Sequence, residues 1–238
     1  MRALGEAATV VLLRDAVGGP EVLLLHRPAH GSYPGVWVFP GGAVEPADRA
    51  AEGTCAVRYA AVRETREETG LVLAASELDV LSCWVPPPRA PKQLRTWFFL
   101  GPAPPGPVVT DPREAVGHLW LTPAEALRAH GESRLDLLPP TWVTLHDLIV
   151  VPTAGAARER ARTGEPRHYE GREVSDPDAG PAIVWADDAA HPEGVPPDRP
   201  GPRHRLLTGS RPWTYLTTHR GRVPRPGAAS GLPPGTPP

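Results

Sequence analysis

Between residues 63 and 71 the chain reads Arg63-Glu64-Thr65-Arg66-Glu67-Glu68-Thr69-Gly70-Leu71. On a helix Glu64 and Glu68 stand four residues apart and Glu67 three from Glu64, so three carboxylates project from one side within a single turn. Like charges so close repel one another. Arg63, four residues before Glu67, can form one compensating pair, which leaves a surplus of negative charge. A hard divalent cation is the simplest answer, because magnesium takes oxygen ligands, keeps several waters and commonly bridges to phosphates. The alternative is an ordinary solvated face of a charged helix. The nearby Phe39-Pro40-Gly41-Gly42 weighs for the cation, since a proline and two glycines end an apolar run and allow a tight, unusual backbone.

The combination resembles the Nudix hydrolase family. That family's box is a glycine, five residues, a glutamate, seven residues, then Arg-Glu-apolar-x-Glu-Glu-x-Gly-apolar. Gly42 begins it here, and Arg63, Glu64, Glu67, Glu68, Gly70 and Leu71 match its second half. Three departures stand out: Asp48 occupies the first glutamate position, Thr65 replaces an apolar residue, and fourteen residues rather than seven separate Asp48 from Arg63. The extra residues can lengthen the helix by about two turns or form a loop before it. The resemblance implies an α/β fold, the Nudix-type α-β-α sandwich with a mixed central sheet. It also implies hydrolysis of a diphosphate linkage with Mg2+ or Mn2+ held by Glu64, Glu67 and Glu68 and the carbonyl of Gly41. Glu64 is the implied base towards water and Arg63 the residue that orients the glutamates through charge-assisted hydrogen bonds. Glu114, just before a strand leading to Leu119-Trp120-Leu121, is the candidate for a further carboxylate from outside the box.

The run Val22 to Arg27, the later Trp84-Val85-Pro86-Pro87 and Pro139-Pro140-Thr141 are similar to an expanded-box subgroup that includes peroxisomal coenzyme A diphosphatases. Coenzyme A or acyl-coenzyme A is therefore one expected substrate, with Arg27, Arg89 and Arg95 as phosphate contacts, since guanidinium matches phosphate geometry. ADP-ribose, a nucleotide sugar or a damaged nucleotide is the alternative within the enzymes. A catalytically silent binding module is the alternative outside them, although such modules usually lose box glutamates. The expected partner is a small-molecule diphosphate, with a homodimer possible.

Certain elements must position these groups. Residues 7–13 and 21–25 read as strands joined by a turn at Gly18-Gly19-Pro20, and a short run at 35–39 stops at Pro40. A helix follows, with Thr54 as its N-cap and Gly70 as its stop. Strands are expected at 79–85, 95–100 and 115–121. Thr122-Pro123-Ala124-Glu125 is a capping box opening a helix, and a further helix is expected over 142–150. Beyond residue 150 the pattern weakens: 154–162 suits a helix, 182–185 and 213–217 suit strands, and 174–181 and 186–203 read as loops. The expected division is a hydrolase domain at 1–150, an extension packed on or near it at 151–222, and a disordered proline-rich tail at 223–238, which holds six prolines in sixteen residues.

Composition narrows the class. The 238 residues are 40% hydrophobic and 22% charged, with a formal net charge of -2, so bulk electrostatics give no reason to expect nucleic-acid binding. No apolar run reaches the ~18 residues of a membrane span, and no secretory signal opens the chain. Two cysteines, Cys55 and Cys83, make no disulfide framework and are expected to be reduced. The chain closes on Pro237-Pro238 without a Ser-Lys-Leu-type address, so cytoplasm is the expected location.

Overall fold

Alternating apolar residues give the first strand two buried faces. In β1 (Gly5–Ala16), Ala8, Val10 and Leu12 join one core while Val11 and Leu13 join the other. The structure, a computed structural model, describes residues 4–49 and 55–218. After β1 come β2 (Gly19–His26), β3 (Trp37–Val38), β4 (Gly41–Ala43), the short helix α1 (Pro46–Arg49) and helix α2 (Ala56–Thr69). Strands β5 (Asp79–Val85), β6 (Leu94–Pro102) and β7 (Gly117–Leu121) precede helices α3 (Pro123–Gly131), α4 (Pro139–Leu148) and α5 (Ala154–Thr163), and β8 (Arg167–Glu170) follows.

These eight strands form one mixed sheet in the order β3-β2-β1-β6-β5-β8, with β4 against β1 and β7 against β2. The pairs β1–β6 and β5–β8 are parallel and the others antiparallel. Helix α2 lays Val57, Ala60 and Ala61 on one face. The other face takes Ala126 of α3, Trp142, Val143 and Leu145 of α4, and Ala157 and Ala161 of α5. The result is the α-β-α layering that the sequence leads one to expect.

Two local boundaries differ from the sequence reading, and one path that it left open is decided. Helix α4 starts three residues before Trp142, because Pro139 fits a first helical position, where its missing N–H costs nothing. The extra residues of the box lie ahead of α2, partly in α1, and do not lengthen the helix: α2 begins only seven residues before Arg63. The N-cap of α2 is Cys55; Thr54 and the tail at 223–238 lie outside the described residues.

The segment 174–181 is no simple loop. A second, antiparallel sheet of β9 (Arg172–Asp176), β10 (Gly180–Val184), β11 (His204–Leu207) and β12 (Thr214–Thr217) runs in the order β12-β11-β10-β9. Its strands are short and half-exposed, so each carries too few apolar residues to announce itself by periodicity. Arg205 holds this sheet from within. Its Nε donates to Asp188 at 2.7 Å and its Nη1 to Asp176 at 3.0 Å, and the side chains of Arg205 and Asp188 are 1% and 0% exposed. The second sheet meets the first through stacked rings. Tyr169 of β8 lies on Trp84 of β5 at 3.7 Å between centroids, and Trp185 stands edge-on to both.

Burial alone would raise the Asp188 carboxyl, but the Arg205 hydrogen bonds and two backbone N–H donors outweigh it and hold the group below its usual range. The depressed folded-state value means that this stabilisation is present above the ordinary aspartate range near 3.9 and disappears as pH falls through the folded value. Asp188→Asn should cost about 3–5 kcal/mol in urea unfolding at pH 7, because it strands a buried guanidinium. An unchanged midpoint would contradict the role given to this pair.

Candidate active site

The buried stripe of α2 does not stay apolar. Val57, Ala60 and Ala61 occupy its first half, and at the same helical spacing Thr65 and Glu68 take over. Glu68 is only 5% exposed. Thr65, where an apolar residue is usual, satisfies its hydroxyl by donating to the Ala61 carbonyl at 2.7 Å. The helix ends at Gly70, whose φ of 71° and N–H bond to the Arg66 carbonyl at 2.9 Å form the expected left-handed stop.

Arg63 organises the carboxylates. Its Nε and Nη2 grip the two oxygens of Asp48 at 3.0 and 2.9 Å, and Nη2 also donates to the Ala43 carbonyl at 3.1 Å. Its Nη1 donates to Glu64 and to Glu67, each at 2.9 Å. Asp48 is buried, accepts the Glu45 N–H at 2.8 Å, and is held below the usual carboxylate range chiefly by Arg63. The same Asp48 bond, with help from Glu64 and Glu67, raises the Arg63 pKa further. Asp48, in the first box position, thus touches the arginine that arranges the glutamates.

Gly41 and Gly42 close the other side. The Gly41 N–H donates to Glu68 Oε2 at 2.8 Å. A Cβ on Gly41, with its φ of 154°, would meet the Ala8 carbonyl oxygen at 2.3 Å, whereas one on Gly42 would meet the Glu64 carboxylate at 2.4–2.5 Å. The backbone therefore presses against the buried Glu68 and the half-buried Glu64, an approach that glycine permits.

Burial, repulsion from Glu64 and repulsion from Glu114 push the Glu68 carboxyl up to about 8, against the opposing pull of the Gly41 N–H and Arg27. Burial also raises Glu64. Glu114 is exposed in the turn that starts at Asp111, yet its charge is felt by both. Glu67 leans outward to Arg63 with its side chain 44% exposed. Among the described residues, no three Asp, Glu, His or Cys side chains form a ready-made metal cage. The donor set still suits a hard cation that keeps waters and needs only a few carboxylates: oxygen ligands, too much negative charge, and one carboxylate buried with a single hydrogen bond.

A cleft of about 380 Å³ opens beside this cluster, lined by Thr9, Arg27, Gly41 and Gly42 at the box. The subgroup motifs meet in its wall: Trp84 to Pro87 on one side and Pro139 to Thr141 on another. Of the three arginines singled out in the sequence, Arg27 and Arg89 line the cleft. Arg95 does not. Leu94, Thr96 and Phe98 of β6 face the cleft, so strand alternation turns Arg95 to the opposite face, where its charge reaches Cys83 and His168. The buried Nε of Arg27 has no hydrogen-bond partner among the described residues. Sequence reasoning missed Lys92, Tyr33, Glu173, Ile183 and Trp185, all on the cleft. Tyr33 carried the only faint signal, a loop position between glycines, and it adopts a left-handed φ of 58°. Elsewhere, the buried Cys83 thiol is pushed up to about 11, which suits an unreactive thiol. A separate cavity of about 440 Å³, floored by the Arg167–Asp147 pair, shares only Trp84 with the cleft.

A family model described as NUDIX domain matches residues 4–141, more than half of the chain, and the chain belongs to that family. Nudix hydrolases cleave diphosphate linkages in nucleoside diphosphate derivatives and generally use divalent metals such as Mg2+ or Mn2+. A Nudix hydrolase of Alicyclobacillus acidocaldarius is similar in structure, with a TM-score of 0.60 and 25% identity, covering 67% of this chain and 97% of the other. The CTP pyrophosphohydrolase of Escherichia coli (strain K12) is 36% identical over 72 residues, which are 30% of this chain and 45% of that protein. No helix among the described residues is long and apolar enough to cross a membrane.

The two glycines should fail differently. Gly42→Ala meets only the mobile end of Glu64, so the thermal midpoint should change little while hydrolysis falls at least about tenfold as the carboxylate is displaced. Gly41→Ala meets backbone at a left-handed φ, so it should lower the midpoint, by about 1–3 kcal/mol in stability. Parallel melting curves and turnover rates check both; full activity in Gly42→Ala would show that the Glu64 position is immaterial.

Proposed function

We propose that Glu64, Glu67 and Glu68, with the Gly41 carbonyl and Glu114, hold Mg2+ or Mn2+ for diphosphate hydrolysis in the adjoining cleft. The observation that carries this is the burial of Glu68 against like charges, which a folded chain has no structural reason to retain. When bound, the cation neutralises diphosphate oxygens and lowers the pKa of a bound water. Arg63 fixes the glutamate rotamers from the Asp48 side. Glu64, whose basicity burial increases, takes the proton of the water that attacks phosphorus. Arg27, with an unpaired buried Nε beside Glu68, meets the phosphate oxygens. As the new P–O bond forms, the bridging P–O bond breaks and two phosphate-bearing products leave.

For the substrate we favour coenzyme A or acyl-coenzyme A. The cleft is roomy enough for part of such a molecule, and both subgroup motifs, Trp84 to Pro87 and Pro139 to Thr141, line it. The similarity to a CTP pyrophosphohydrolase favours a second reading, a nucleoside triphosphate. Residues 1–150 would then supply the chemistry and 151–222 part of the cleft.

Glu68→Gln should cut turnover at least about 100-fold with no loss of thermal stability, because the amide removes the cost of burying a charge. Chelation should abolish activity and added Mg2+ or Mn2+ restore it. Coenzyme A, acyl-coenzyme A, ADP-ribose and CTP, with products read by mass, identify the bond. Turnover of Glu68→Gln within threefold of the parent would overturn the metal assignment; intact coenzyme A and acyl-coenzyme A would overturn the substrate reading.

A further inference from the structure

The family model ends at residue 141, yet the cleft does not. Its remaining wall comes from the second sheet, through Glu173 and Ile183, and from Gly171 and Trp185 at the ends of its strands. This wall is fixed to the body of the hydrolase at its edge. The Gly171 N–H donates to the Val85 carbonyl at 2.9 Å, and a Cβ on Gly171 would meet Pro87 at 3.1–3.2 Å. Glu173 and Ile183 are register partners on the adjacent strands β9 and β10, so the sheet presents them side by side.

The electrostatics of the cleft are uneven. Arg27, Arg89 and Lys92 line it as cations, and Glu173 is its only acid among the described residues. The carboxylate of Glu173 is exposed and makes no ion pair with any of them. An anionic ligand that ran the whole length of the cleft would meet Glu173 with like charge. A ligand with phosphates towards Arg27, an apolar stretch against Ile183, and an N–H or O–H donor for Glu173 would satisfy each group.

We propose that the second sheet determines which X group is accepted: Ile183, backed by the buried Trp185, takes an uncharged, partly apolar part of X, and Glu173 accepts a hydrogen bond from it and repels an anion there. This rests on the diphosphatase reading of the same site. A nucleoside and an amide-bearing chain share the required chemistry, and the substrates used below separate them.

The test uses the full chain with Mg2+ and measures kcat and KM for coenzyme A, ADP-ribose and CTP. On each substrate that is cleaved, Glu173→Arg and Ile183→Arg should raise KM at least tenfold, with kcat within threefold. Glu173 is exposed, so its variant should melt like the parent and keep the test valid even if Ile183→Arg folds poorly. KM within twofold of the parent for Glu173→Arg on every cleaved substrate overturns the inference and leaves the diphosphatase reading intact. A fall in kcat with KM unchanged overturns it equally. The diphosphatase reading fails separately, through a fully active Glu68→Gln or cleavage of none of the three substrates, and the inference then falls with it.

Discussion

One guanidinium governs the site. Arg63 binds both oxygens of Asp48, one oxygen each of Glu64 and Glu67, and a carbonyl of β4. Without it, a half-buried helical turn would carry three carboxylates and face a fourth at Glu114 with Arg27 as the counter-charge felt by Glu68. With it, the backbone of the glycine bend, the start of the box and the helix are drawn to one centre. Charge-assisted, partly desolvated bonds of this kind are the strong ones and fix geometry as well as energy. Glu68 is left outside that embrace, buried, supported by one backbone N–H, and raised in pKa. The account turns on this division between carboxylates satisfied by protein and one that is not.

Much of this was legible in the sequence for physical reasons. The helical spacing of Glu64, Glu67 and Glu68 and the glycine pair before them need no long-range information. The core strands and helices could be read too, because their apolar periods span many residues. The role of Asp48 could not be read, since its partner lies fifteen residues away across an insertion whose path the sequence leaves open. The placement of Arg95 off the cleft was not legible for a simpler reason: the type of a residue says nothing of the phase of its strand, and one step along β6 exchanges cleft for opposite face. The second sheet escaped because its strands are short and their stabilisation is non-local. Arg205 reaches Asp188 and Asp176 across loops, and Trp185 packs on rings separated from it by up to about two fifths of the chain.

That second sheet changes how the fold relates to its chemistry. β8 adds a strand to the main sheet beside β5, and Tyr169 stacks on Trp84, a residue that also lines the cleft. The carboxyl-terminal third therefore shares a core with the hydrolase layers and does not hang from them. The box lies within the matched residues 4–141, while Gly171, Glu173, Ile183 and Trp185 bring part of the cleft wall from beyond them.

A Mn2+-soaked crystal, examined by anomalous scattering, tests the central claim most directly. The account predicts a peak at about 2.1–2.3 Å from carboxylate oxygens of both Glu64 and Glu68, with Arg63 still bound to Asp48. Anomalous density absent from that turn at saturating Mn2+, with Glu68 unmoved against the Gly41 N–H, would contradict it.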